Sequence, residues 1–206
     1  MFSEDLVVLK NLEPKVVEKD VYRYLRYNIN KTQLSDDIKS KISDNLDYAM
    51  SLLEISGVGC IREIIGNTGD VLTISGEYDF SSKYMCEWLD GCSHILLMGA
   101  TAGRDVMSEI NTLQEQDLLK AVIINAVASS AADEALQYLE QYFGRLIFRS
   151  KMTLTNKRWS VGYADLDIKY QHIFYELLKM DSIDVDILDS GMLVPEKSVT
   201  GFCGIK

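Results

Sequence analysis

The chain has 206 residues, of which 47% are hydrophobic and 25% charged, so it is long and apolar enough to bury a core. Its 31 acidic residues outnumber 21 basic ones, and a net charge of -10 disfavours binding to nucleic acid phosphates or anionic membranes. Since no apolar run approaches the ~20 residues that span a bilayer, and "MFSEDLVVLK" lacks the basic start of a signal peptide, we expect a cytoplasmic protein.

The first quarter of the sequence has helical patterning. Residues 18–27, "EKDVYRYLRY", follow Pro14 with helical spacing, and a second helix is predicted across residues 34–54. Ser35 and the acids that follow it suit the start of that helix. We therefore expect residues 1–54 to form a helical segment packed on a core of residues 55–206, the whole chain making one structural domain.

Short strands and a short helix are predicted next. "VGCIREI" (58–64) and "VLTI" (71–74) read as strands joined by the turn-like "GNTGD", and Ser81 to Leu89 as a short helix ending near Gly91. "SHILLMGA" (93–100) is typical of a buried strand. The proline-free stretch that follows predicts one or two helices, with any break near Gln114, and its small-residue run "AVASSAADEA" permits close backbone approach.

The last quarter changes character. "KYQHIFYELLKM" (169–180) predicts an amphipathic helix, and "DVDILDS" and "KSVTGFCGI" predict strands around a turn at Pro195. Strands thus occur early in the core and again at its end, with helices between them. That order favours an α+β fold with one mixed or mostly antiparallel twisted sheet flanked by helices.

Several candidate sites have a plainer structural interpretation. "GATAGRD" (99–105) could present backbone N–H groups to an anion, but it lacks the Lys-Ser/Thr of a P-loop, so tight-turn glycines are favoured. Cys86 and Cys92 have poor spacing for a zinc site, and His94, which follows Cys92 closely, is flanked by the apolar "ILLM" of a strand entering the core, so we expect no metal site. Glu134 has a polar helix face available to it, yet a solvated helix acid is the default for a lone glutamate.

One stretch inverts the sign of the charge. Residues 145–158, "RLIFRSKMTLTNKR", carry five basic residues and no acid in a chain of net charge -10. A solvated loop is the simpler interpretation. The functional alternative is a docking surface for an anion or an acidic partner.

The segment "RWSVGY" (158–163) combines three useful groups. Arg158 offers a planar fork for a carboxylate, Gly162 permits close backbone approach, and Tyr163 provides an aromatic face and a hydroxyl. A ligand with a carboxylate, a positive centre and an aromatic base would use all three. S-adenosylmethionine is such a molecule.

"RWSVGY", an amphipathic helix and then "ILDSGMLVPEKSVTGF" resemble, in that order, the activation domain of vitamin B12-dependent methionine synthase. "ILLMGATAG" and "ADEALQYL" are similar to that family's core strand and helix. The resemblance covers roughly residues 85–205. It implies a domain that binds S-adenosylmethionine and meets a cobalamin domain whose cobalt has become inactive Co(II).

The resemblance also implies roles for individual residues. Arg158 would hold the methionine carboxylate, the backbone near Ser160 and Gly162 would meet the ligand, and Tyr163 would pack on it or bond to it. Glu134 would match a ligand-contacting helix acid of the family. Ser198 and Thr200 would lie on the strand at the same pocket, Ser198 being counted among the binding residues.

The implied role is that of a stand-alone activation subunit. Its partner would be a cobalamin-dependent methionine synthase without its own activation domain, and a flavodoxin or another donor would supply the electron. The sequence departs from the family pattern at Met152, where relatives have a second acid, and in ending at Lys206 before a tyrosine-containing tail. An interaction module for a corrinoid protein that has lost the ligand is the alternative, and an unrelated small-molecule transferase is a third hypothesis.

Overall fold

The computed structural model describes residues 5–13, 15–16, 18–27 and 35–206. Pro14 and Leu34, on which two of the helix predictions drew, lie outside them. The described helices are α1 (Glu18–Tyr24), α2 (Asp36–Ser51), α3 (Lys83–Trp88), α4 (Asp105–Gln116), α5 (Leu118–Phe148) and α6 (Gln171–Leu178). The strands are β1 (Val7–Leu9), β2 (Ser56–Asn67), β3 (Val71–Ile74), β4 (Tyr78–Ser81), β5 (His94–Thr101), β6 (Asp186–Ile187), β7 (Leu193–Val194) and β8 (Ser198–Ile205).

Six strands form one sheet in the order β4-β3-β2-β5-β8, with β1 also paired to β2. Every described pairing is antiparallel. The long strand β2 pairs with β5 along Ser56–Glu63, while its other edge pairs first with β1 and then with β3. A register shift between Ile64 and Gly66 marks the change of partner, as expected where a bulge bends a strand. β6 and β7 form a separate two-stranded sheet.

The 31-residue helix α5 covers one face of the sheet. Its second half packs Leu136, Leu139 and Phe143 into a buried cluster with Leu96 and Met98 of β5 and other strand residues. Its first half packs with α1, α2 and α4 in a second cluster. The buried alanines of the first half place little bulk between these helices, which agrees with the close approach predicted from the small-residue run.

The opposite face is covered by α6 and its flanking 3₁₀ turns. Phe174 and Leu178 of α6 are fully buried against strand residues such as Val58 and Leu97. Truncating a buried side chain of this size to alanine costs about 2–5 kcal/mol of folding stability. The two layers therefore hold the edge strand β8 between α5 and α6, which places the candidate site described below.

The predicted α+β fold is confirmed, with differences in detail. The N-terminal segment is not wholly helical, because Val7–Leu9 forms a strand on β2. Strand β4 was not predicted. The long helical stretch breaks at Asp117 rather than Gln114, since the Asp117 side chain accepts a 3.0 Å hydrogen bond from the Lys120 N–H and caps α5. "DVDILDS" forms a two-residue strand only, and the bend before β8 includes a cis Val194–Pro195 bond.

Candidate functional site

The 158–163 segment runs beside the edge strand β8. Trp159 and Phe202 exchange two backbone hydrogen bonds, of 3.0 Å and 2.7 Å, in an antiparallel bridge. Successive side chains of an extended chain point to opposite faces. Trp159 accordingly packs edge-on against Trp88 and Tyr84 at α3, with ring centroids 5.4 and 4.8 Å away, while Arg158 reaches the face covered by α5.

Two acids of α5 hold the Arg158 guanidinium. Asp133 accepts a hydrogen bond from it at 2.5 Å, and Glu140 accepts another. The Arg158 side chain is only 19% exposed, and its stem lies over Gly201. A guanidinium has five N–H donors, so three remain after these two bonds. The sequence predicted a fork open to a carboxylate, and the structure shows a fork already partly engaged.

Gly162 forms the turn of the segment. Its φ of +85° lies in the region that favours glycine, and its N–H donates to the Leu166 carbonyl at 2.9 Å. The Leu166 N–H in turn donates to the Tyr163 carbonyl at 3.1 Å. This short loop presents the Tyr163 ring to solvent, with the residue 62% exposed. The glycine therefore shapes the loop, rather than serving only as a point of close approach.

Asp165 fastens the loop to α3. Its carboxylate accepts from the Ser82 hydroxyl at 2.5 Å and from the backbone N–H of Lys83 at 2.8 Å and of Tyr84 at 3.4 Å. The hydrogen bond from Ser82, the largest effect, and those from the backbone N–H groups hold the pKa of Asp165 below its ordinary value. No sequence motif marked this residue, although it lies two positions after Tyr163.

A groove of about 780 Å³ opens between the 158–163 segment, the start of β8 and the loop that precedes it. Its wall also includes Tyr24 of α1 and Asp133 of α5. A volume of this size falls within the range of ligand pockets, about 300–1,000 Å³. The lining combines aromatic and aliphatic side chains with several polar ones, among them Ser160, Ser198, Thr200 and Gln171.

The groove brings together most of the predicted site residues. Arg158, Ser160, Tyr163, Ser198 and Thr200 all line it. The hydroxyl of Ser198 donates to Thr101 at 2.9 Å, and that of Thr200 donates to Gln171 at 3.0 Å. Whether these groups contact a ligand remains a prediction.

Glu134 is placed differently from the expectation. Its neighbour Asp133 lines the groove, and Glu134 is half-buried beside it, outside the set of lining residues. Burial first, and then the charges of Asp20 and Asp133, raise the pKa of Glu134. Asp133 also accepts a hydrogen bond from Arg23 of α1 at 3.4 Å. Asp133, the acid adjacent to the predicted Glu134, is therefore the one that lines the groove, and a contact between Glu134 and a ligand stays a prediction.

The described residues contain no group of three or more His, Cys, Asp or Glu side chains that could hold a metal ion. Likewise, no helix in the described part of the chain is both long and apolar enough to cross a membrane.

No family model matches the chain, and no curated protein matches it significantly. Among solved structures, the crystal structure of the MetH reactivation domain bound to AdoHcy is similar, with a TM-score of 0.71. The two share 12% sequence identity, and the match covers 97% of this chain and 78% of that one. The chain therefore has the fold of the MetH reactivation domain.

Proposed function

We propose that this protein binds S-adenosylmethionine in the groove between the 158–163 segment and β8. The observation that supports it most is the coincidence of two independent features. The fold matches a reactivation domain bound to AdoHcy, and the groove of this chain is lined by most of the residues that the sequence resemblance had selected.

The residues of the groove suit the charged parts of such a ligand. Asp133 is 40% exposed at the side chain and supplies a carboxylate for an ammonium group. Arg158 retains N–H donors for a carboxylate, and the exposed ring of Tyr163 offers a surface on which a base could stack. Glu196 at the groove adds a second acid, which favours a positively charged sulfonium ligand over its neutral thioether counterpart.

The proposed biological role is to support reactivation of a cobalamin-dependent methionine synthase carried on a separate chain. The bound ligand would supply a sulfonium methyl group for transfer to reduced cobalt on that partner. This chain would bind and orient the ligand and present it at the open groove.

Isothermal titration tests the binding site. The wild-type protein should bind S-adenosylmethionine, and both Arg158→Ala and Arg158→Lys should bind it at least about 10-fold more weakly, since lysine keeps the charge but lacks the fork. Lys157→Ala is the matched control, because it removes an exposed base from the adjacent position. Equal binding by the wild type and both Arg158 variants would exclude this site.

One observation favours a second function. Arg158 already donates hydrogen bonds to Asp133 and Glu140, and the negative charges of these two acids repel a ligand carboxylate. The alternative is therefore a module that recognises a corrinoid protein without binding the nucleoside. A pull-down with methionine synthase separates the two: ligand-dependent capture supports the first function, and capture unaffected by ligand supports the second.

The electron donor, a flavodoxin or another acidic protein, is proposed to dock on the cationic stretch 145–158. Arg145, Arg149, Lys151 and Lys157 are exposed, and none of them forms an ion pair with another described residue. Phe148, 75% exposed, adds an apolar contact. Docking should weaken as salt rises and with Arg149→Glu, and docking that is insensitive to salt would contradict this surface.

A further inference from the structure

Gln171, the first residue of α6, is a buried polar residue at the groove for which the sequence offered no role. It is 4% exposed and lines the groove. The hydroxyl of Thr200, itself buried on β8, donates to the Gln171 Oε1 atom at 3.0 Å.

The Nε2 group of Gln171 has no hydrogen-bond partner among the described residues. Buried side-chain amides are normally satisfied, and each exception needs a reason. If the amide were turned over, Nε2 would donate to the Thr200 hydroxyl, and the buried Oε1 atom would lack a partner instead. One atom of the amide is therefore unsatisfied in either orientation.

A second unsatisfied donor lies on a residue beside the groove whose ring packs in the aromatic cluster at α3. The Trp159 Nε1–H group is buried and has no partner among the described residues, and Trp159 is a lining residue. The unsatisfied amide of Gln171 fits a ligand that brings an acceptor. An N–H donor does not suit the cationic ammonium or sulfonium part of the ligand, and the carboxylate is assigned to Arg158, which leaves the ribose and the adenine ring as acceptors.

We propose that Gln171 is a specificity-determining residue, whose Nε2–H donates to a ring nitrogen of the bound adenine while Thr200 holds the amide in place. This inference rests on the proposed function. It predicts selection for the purine base itself, because a nucleoside without that acceptor would leave the buried amide unsatisfied in the complex.

The test combines Gln171→Met with deaza analogues. Methionine has a similar length and no donor, so Gln171→Met should weaken binding of S-adenosylhomocysteine about 10-fold, or about 1.4 kcal/mol, in isothermal titration. For wild-type protein, one of the 1-, 3- or 7-deaza analogues should show the same loss, and that analogue should lose nothing further on Gln171→Met. Thr200→Val is the companion variant and should weaken binding less, because the amide remains but is free to rotate.

Thermal unfolding without ligand provides the second readout. Gln171→Met removes the unsatisfied Nε2 donor but also the Oε1 acceptor of the buried Thr200 hydroxyl, so its melting temperature should fall no further than that of Thr200→Val, which breaks the same hydrogen bond. A lower melting temperature with unchanged affinity would make Gln171 a structural residue and overturn the inference. If Gln171→Met lost the same affinity for S-adenosylhomocysteine and for all three deaza analogues, the acceptor would be on the ribose. That result would overturn the adenine assignment. If the wild-type protein binds no S-adenosylhomocysteine at all, the proposed function itself fails, and this inference fails with it.

Discussion

Gly201→Ala tests how the fold positions Arg158. A Cβ atom at Gly201 would lie 2.6 Å from Arg158 Cδ and 2.9 Å from Cγ. Ordinary contact begins at 3.4 Å, so the arginine stem would have to move by about 0.8 Å. The guanidinium is tethered to Asp133 at 2.5 Å and to Glu140, and a shift of this size weakens one or both hydrogen bonds.

The expected magnitude follows from those bonds. A hydrogen bond to a charged group contributes about 1.5–3 kcal/mol, and the partial exposure of Asp133 and Arg158 reduces that value. Replacing glycine by alanine in a strand otherwise returns about 0.5–1 kcal/mol. The net loss for Gly201→Ala should therefore be about 1 kcal/mol, or about 2–4 °C in melting temperature for a domain of this size.

The assay is thermal unfolding together with titration of S-adenosylmethionine. Gly144→Ala is the matched control, because it lies within α5 and its added Cβ would meet only Leu154 at 3.7 Å. That control should raise stability by about 0.5–1 kcal/mol and leave affinity unchanged. Gly201→Ala should also bind about 10-fold more weakly. A Gly201→Ala protein that matches wild type in both measurements would refute the proposed tethering of Arg158.

Three further predictions use groups with altered pKa values. The hydrogen bond from Ser82 lowers the pKa of Asp165. The Asp165 carboxylate therefore stabilises the fold above its unfolded pKa of about 4, and this stabilisation is lost as the pH falls through the folded pKa. Asp165→Asn should flatten the decline in melting temperature at acid pH. Burial and the charge of Asp20 raise the pKa of Glu134, so the ionised form of Glu134 lowers the free energy of unfolding. Glu134→Gln should therefore raise the melting temperature at pH 7, and the increase should shrink as the pH falls. Burial raises the pKa of Cys203 to about 12, so native protein at pH 8 should resist iodoacetamide at this thiol, as read by mass spectrometry; rapid labelling would contradict its burial.

The periodic parts of the chain were predictable from sequence because their patterns are local. The strand at residues 71–74 has the predicted bounds, and Ser35 caps α2 by accepting from the Ile38 N–H. The three-residue strand β1 was missed, since so short a segment has no period of its own and is defined by its pairing with β2. The helix break at Asp117 was displaced by three residues because an aspartate cap, rather than composition, ends the helix.

The candidate site was predictable only in part, for the same physical reason. Arg158, Gly162 and Tyr163 lie within one short segment, so a pattern could select them. The acids that hold Arg158 are 25 and 18 residues away in sequence, and Gln171 meets Thr200 across 29 residues. Such pairs arise from packing of α5 and α6 on the two faces of β8. The spacing of Asp133 and Glu140, two helical turns apart, was the one local signal that these acids share a face.

A crystal structure of the protein with S-adenosylmethionine tests the central claim most directly. The ligand should lie in the groove, between the 158–163 segment and the first residues of β8, with its carboxylate on Arg158 and its base beside Tyr163. Density for the ligand elsewhere on the surface, or an empty groove at saturating ligand with Arg158 still bound only to Asp133 and Glu140, would contradict it.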